Sequence, residues 1–140
     1  MTAHTPSTDT LMSDTIKILL VDDDRNEEVI LRRIASKVTT HTIELHYSET
    51  IAEALAFIRE SNDIRLVLMD NRLMPTVDFR ESVPALRQAG FIGPVGVISS
   101  SLDDPYFQAF EDYGVDFRID KSELDPAAVE FLVREYVIRD

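Results

Sequence analysis

The sequence predicts an α/β fold, a single doubly wound domain built on five parallel strands. Three observations carry that expectation. Five short apolar runs alternate with stretches of helical periodicity, the pattern of a chain that passes from strand to helix and back. The run Leu66-Val67-Leu68-Met69 is continuously apolar, as a strand must be when helices cover both of its faces. The length of 140 residues, 44% of them hydrophobic, suits one buried core and leaves little room for a second domain. Crossovers between parallel strands are right-handed, which places helices on both faces of the sheet.

The elements follow in order. Residues 1–15 are polar, rich in Thr and Ser, and lack an apolar or cationic leader, so they read as a disordered tail before a domain at 16–140. Ile16 to Val21 is the first strand, and it ends in Asp22-Asp23-Asp24. A helix from about Asn26 has Ile30, Ile34 and Val38 as its expected buried stripe. Thr42 to Tyr47 alternates Ile43, Leu45 and Tyr47, which suits an edge strand exposed on one side. Ile51, Leu55 and Ile58 mark a second helix, and the strand at Leu66–Met69 then runs into Asp70. A loop with Met74-Pro75 leads to a third helix near Ser82–Ala89, stopped at Gly90. Pro94 to Ile98 is the fourth strand and passes into Ser99-Ser100-Ser101. Asp103-Asp104-Pro105 opens a fourth helix, because proline loses no hydrogen bond in a first turn and acids suit a helix N-terminus; Gly114 ends it. Val115, Phe117 and Ile119 alternate as a fifth strand. Asp125-Pro126 starts a last helix that buries Val129, Leu132, Val133 and Tyr136.

Composition narrows the chemistry. With 14 basic against 26 acidic residues the net charge is −12, so phosphate backbones and anionic lipid repel the domain; neither nucleic acid nor a membrane is an expected partner. No apolar run approaches the roughly 20 residues that span a bilayer, and a cytoplasmic location is expected. The absence of cysteine excludes disulfides, thiolate nucleophiles and Cys-based zinc sites. His4, His41 and His46 have no metal-ligand spacing.

In a doubly wound sheet, ligands bind beyond the carboxyl ends of the strands, where strand order reverses. Asp22-Asp23, Asp70 and Ser99 lie at three such ends, and Lys121 lies just past a fourth. Taken singly these are ordinary: Asp and Ser after a strand are turn and cap chemistry, and one lysine is a solvated charge. Taken together they are not, because clustered carboxylates repel unless a cation neutralises them. An all-oxygen acidic site with few protein ligands suits Mg²⁺ shared with a phosphate.

The apolar strand into Asp22-Asp23, LVLMD ending at Asp70, PVGVISS with Ser99 and GVDFRIDK ending at Lys121 resemble, in this order and spacing, the receiver domain of two-component response regulators. The resemblance covers essentially all of residues 16–139. It implies a flavodoxin-like (βα)5 sheet with strand order 2-1-3-4-5. By that resemblance Asp70 is the phosphoacceptor, and Asp22, Asp23, the Asp70 carboxylate and the backbone carbonyl of Arg72 hold Mg²⁺. Ser99 takes the family's hydroxyl position and Lys121 its lysine. The implied partners are a sensor histidine kinase or a histidine phosphotransfer protein, and a downstream protein target. The implied activity is that of a phosphoacceptor switch more than an enzyme, although receivers catalyse their own phosphorylation and dephosphorylation. The chemistry agrees: a carboxylate can accept a phosphoryl group as an acyl phosphate, and the step needs alignment and neutralised oxygens.

The chain departs from the family pattern at three places. Met74 stands where receivers usually have Pro, with Pro75 one residue late; Phe79 replaces a common glycine; and Arg118 stands at the switch-aromatic position. Arg118 is expected to be solvated, or to pair in turn with Asp103, Asp104, Glu111 or Asp112. The chain ends at Asp140 directly after the last helix, so a single-domain regulator with a protein-contact output is the expected form. Two rivals stand beside it. A pseudo-receiver that only binds partners normally lacks an acid or the lysine, and both are present here. A Mg²⁺-dependent phosphatase with an aspartyl nucleophile often carries a second acid two residues on, where this chain has Arg72.

Overall fold

The computed structural model describes residues 15–76, 78–100 and 102–138; the expected tail as far as Asp14, and Ser101, lie outside the described residues. The chain runs through β1 (Thr15–Val21), α1 (Arg25–Ser36), β2 (Thr42–Ser48), α2 (Ile51–Glu60), β3 (Leu66–Asp70), α3 (Phe79–Gln88) and β4 (Val95–Ser99). A 3₁₀ segment (Pro105–Tyr113), β5 (Phe117–Asp120), a 3₁₀ turn (Lys121–Glu123) and α4 (Pro126–Leu132) follow. A π turn (Val133–Val137) extends the last helix. All five strands are parallel, in the order β2-β1-β3-β4-β5. This is the expected flavodoxin-like order, and it places the reversal of strand order between β1 and β3.

Alternation along the strands sorts the core into two layers. Leu19, Val21, Val67, Met69, Val95 and Val97 face Ile51, Ala54 and Ile58 of α2 and Phe79, Val83 and Leu86 of α3. Ile16, Ile18, Leu20, Leu66, Leu68 and Ile98 face Leu31 of α1 and Val129, Leu132 and Val133. The central strands are buried on both sides, as their continuous apolar runs require. Gly90 and Gly114 take φ of +109° and +88° and end their helical segments where expected, since only glycine adopts that backbone without strain.

Several expectations are corrected. Thr15 belongs to β1, paired with Thr42, and not to the tail. In α1 the buried residues are Leu31 and Ala35, while Ile30 is 49% exposed. Asp24 caps the helix by accepting from the Asn26 N–H, and this start turns the 31/35 face to the sheet. The third helix begins at Phe79, three residues before Ser82, because Asp78 accepts from the Arg80 N–H and starts it there; Pro84 is accommodated inside. The fourth helix is not an α-helix. It is a 3₁₀ segment interrupted at Ala109 (φ −112°, ψ 33°), and Asp104 makes no side-chain cap to it. Val115 is buried ahead of β5, which starts at Phe117.

Candidate functional site

The Asp triplet after β1 divides its work. Asp22 continues the line of β1, its N–H donating to the Ser48 carbonyl at 3.2 Å, and it is fully buried. Its Oδ1 accepts from the Asp24 N–H at 2.9 Å, and its carbonyl accepts from the Tyr47 hydroxyl. Burial pushes that phenol up to about 12. Asp23 is exposed at the rim, and Asp24 is used up as the α1 cap. Asp70 ends β3, the strand beside β1. One carboxylate oxygen from each of Asp22, Asp23 and Asp70 lies within 4.8 Å of the others.

Lys121 comes from the other side of the sheet. The turn that carries it is a capping box: Asp120 accepts from the Ser122 N–H at 2.9 Å while its own N–H donates to Glu123 at 3.2 Å. The Lys121 Nζ lies 3.3 Å from Asp22 Oδ2, 3.4 Å from Asp70 Oδ1 and 3.8 Å from Glu27 Oε1. Glu27 was not anticipated from the sequence. Its one signal is an acid in the first turn of the helix that follows the Asp triplet.

Burial, then the charge of Asp22, pushes the Asp70 carboxyl up to about 6, with Lys121 pulling the other way. Burial also raises Asp22. Burial pulls the Lys121 ammonium down, but Asp70, Asp22 and Glu27 outweigh it and hold the group above its ordinary value. Buried acids with raised affinity for protons are a site short of positive charge.

A small hard cation fits that shortage. Three carboxylates offer oxygen donors around one point, and the buried Asp22 Oδ2 makes no hydrogen bond, its nearest cation being Lys121. Ser99 is the last residue of β4, 9% exposed, and one residue beyond the Asp70–Ile98 pairing. Arg72 is exposed two residues past Asp70, with its guanidinium 3.8 Å from Asp104. The Met74-Pro75 bond is cis. Phe79, at the expected glycine position, is a core residue in contact with Phe107, centroid to centroid 5.2 Å.

Of the two expectations for Arg118, the solvated side chain is the one the structure fits. It is exposed, and its guanidinium lies over the Phe110 ring at 5.5 Å. The flat ring lies beside it in the 3₁₀ segment, and a half-buried aromatic face attracts a guanidinium. Asn71, the buried neighbour of Asp70, also escaped the sequence reading.

No protein-family model and no curated protein matches the chain. Solved structures do. The chain is similar to a CheY-like response regulator receiver domain protein from Methanospirillum hungatei, with 21% identity, 86% of this chain and 92% of that one covered, and a TM-score of 0.69. It is similar to the chemotaxis protein CheY4 of Vibrio cholerae at 18% identity, covering 89% of this chain and 99% of that one, with a TM-score of 0.71. A response regulator receiver protein from Pseudoalteromonas atlantica matches at 21% identity, covering 84% and 94% respectively, with a TM-score of 0.68. The sheet order, the crossovers and these likenesses agree, and the chain has the fold of a response regulator receiver domain.

Proposed function

We propose that this domain, which begins at Thr15, is a phosphoacceptor switch that receives a phosphoryl group on Asp70 from a histidine kinase or a histidine phosphotransfer protein. The observation that carries the reading is the Lys121 ammonium set 3.3 and 3.4 Å from Asp22 and Asp70 at the rim where strand order reverses. Asp22, Asp23, Asp70 and the Arg72 backbone carbonyl would hold Mg²⁺, which when bound supplies positive charge to the phosphoryl oxygens. The Asp70 carboxylate attacks phosphorus, the bond to the donor imidazole breaks, and that nitrogen takes a proton as it leaves. With its carboxyl near 6, Asp70 is still largely ionised at pH 7 and able to attack. Lys121 stays beside the new phosphoryl oxygens, and the Ser99 hydroxyl donates to one of them.

The output is a changed protein-interaction surface, the mode of a single-domain response regulator in the cytoplasm. A net charge of −12 supports a protein target over nucleic acid or anionic lipid, and no helix among the described residues is long and apolar enough to cross a membrane. The phosphatase reading gains nothing, since Arg72 cannot supply an acid and its guanidinium faces Asp104. Asp70→Asn should abolish the gain of one phosphoryl mass on treatment with acetyl phosphate and Mg²⁺, because an amide forms no acyl phosphate. Undiminished labelling of the variant at another residue would sink the assignment.

A further inference from the structure

Asn71 follows Asp70 in the chain, and its side chain is 2% exposed. Nothing in the acidic site uses it. Its carboxamide oxygen accepts from the Phe79 N–H at 3.2 Å, and its nitrogen donates to the Tyr106 hydroxyl at 3.0 Å. The orientation is forced, because a backbone N–H can only donate. The Asn71 N–H itself donates to the Ile98 carbonyl at 2.9 Å, one residue before Ser99. One residue therefore joins the end of β3 to β4, to the first turn of α3 and to the 3₁₀ segment.

Tyr106 is the outer end of this connection. Its hydroxyl donates onward to Asp104 at 3.1 Å. Its ring lies 5.1 Å from Phe107 and 5.5 Å from Phe79, with the Arg80 guanidinium 4.3 Å from its centroid. Arg80 is held in turn by two bonds to Asp78, at 2.9 and 2.8 Å. Arg72 adds a second link between the same two loops through Asp104 at 3.8 Å. The segment carrying Tyr106 is nine residues of 3₁₀ geometry with a non-helical break at Ala109. Runs of that length are uncommon and poorly hydrogen-bonded, so a more regular helix is an accessible alternative.

We propose that the Asn71–Tyr106 hydrogen bond transmits the state of Asp70 to the surface formed by Arg80 and the exposed residues of the 3₁₀ segment, in place of an aromatic at position 118. The inference rests on the reading of Asp70 as phosphoacceptor, although the coupling itself is a property of the fold. A buried carboxamide cannot lose a partner without loss of stability, so a shift at the end of β3 must carry Tyr106 with it or exchange the pair outright. That makes the response discrete, as a switch requires.

Tyr106→Phe removes the hydroxyl and keeps the ring stack, and backbone amide spectra report on the segment. In the wild-type chain Asp70→Asn should shift the amides of Tyr106, Phe107 and Phe110; in the Tyr106→Phe background the same change should move them less, by about two-fold or more. Tyr113→Phe, a control in the same aromatic cluster, should leave the shifts as they are. Treated with acetyl phosphate, wild type and Tyr106→Phe should gain the same phosphoryl mass, with the amide response weakened only in the variant. Equal shifts in the wild-type and Tyr106→Phe backgrounds, or an equal weakening by Tyr113→Phe, would overturn the coupling. If no phosphoryl mass is gained while the Asp70→Asn shifts still depend on Tyr106, the phosphoacceptor reading fails and the coupling stands.

Discussion

With its carboxyl pushed up to about 6 by burial and by Asp22, Asp70 keeps a proton in the folded chain over a pH range in which the unfolded chain has released it. The folded state therefore binds more protons between about pH 4 and pH 6, and stability falls as pH rises through that window. By pH 7 the metal-free protein has lost about 3 kcal/mol to this one group. Asp70→Asn should recover part of it, raising Tm at pH 7 without Mg²⁺ by roughly 3–8 °C. The difference between variant and wild type should close below about pH 3, where Asp70 is protonated in both states of the wild type. A variant no more stable than wild type at pH 7 would show that the site carries no such electrostatic load. The residue types and their places at strand ends were legible in the sequence, because an acid after an apolar run is a local signal. The pairing of Lys121 with Asp22, Asp70 and Glu27 was only partly legible, because Glu27 reaches the site through the rotation of α1.

At the scale of elements, the rotation of a helix and the start of a strand are set by caps and neighbours more than by periodicity. Of the Ile30–Ile34–Val38 stripe, Val38 is buried and Ile34 packs on the core, yet the Asp24 cap and the sheet turn Leu31 and Ala35 inward and leave Ile30 exposed. The Asp103-Asp104-Pro105 start signal is sound chemistry, but the Asp104 carboxylate accepts from the Tyr106 hydroxyl and no α-helix follows. Gly96 shows the opposite case, a local signal with a tertiary cause. A glycine inside a strand marks a close approach, and here a Cβ would fall 2.1 Å from the Phe117 ring. That ring is 7% exposed and lies 4.6 Å from the Tyr136 ring, so it has nowhere to swing. Gly96→Ala should lower stability by about 1–3 kcal/mol, read as a lower urea midpoint with an unchanged m-value. An unchanged midpoint would mean that β4 and β5 can separate freely.

For the whole molecule, a ligand that binds only the folded state raises its stability in proportion to the logarithm of ligand concentration. Millimolar Mg²⁺ at pH 7 should raise Tm beyond the effect of Na⁺ at equal ionic strength, the control that a net charge of −12 demands. Asp23→Asn should lose most of that gain, and since Asp23 is exposed the variant should fold as well as wild type. The gain should also shrink below pH 6, as Asp70 takes up its proton. Equal Mg²⁺ gains in wild type and Asp23→Asn would remove the acidic rim as the binding site. What the sequence by itself determined is the frame: five apolar runs, their alternation with helices, and polar chemistry at the ends of the strands. These follow from side-chain periodicity along the chain, which needs no knowledge of what lies across the sheet. What only the tertiary structure decided is which distant groups meet: Glu27 beside Lys121, Asn71 against Tyr106, and Arg118 over Phe110. Those contacts depend on helix rotation and on the path of the loops after β3 and β4, and packing between layers sets both, leaving no mark in the local pattern.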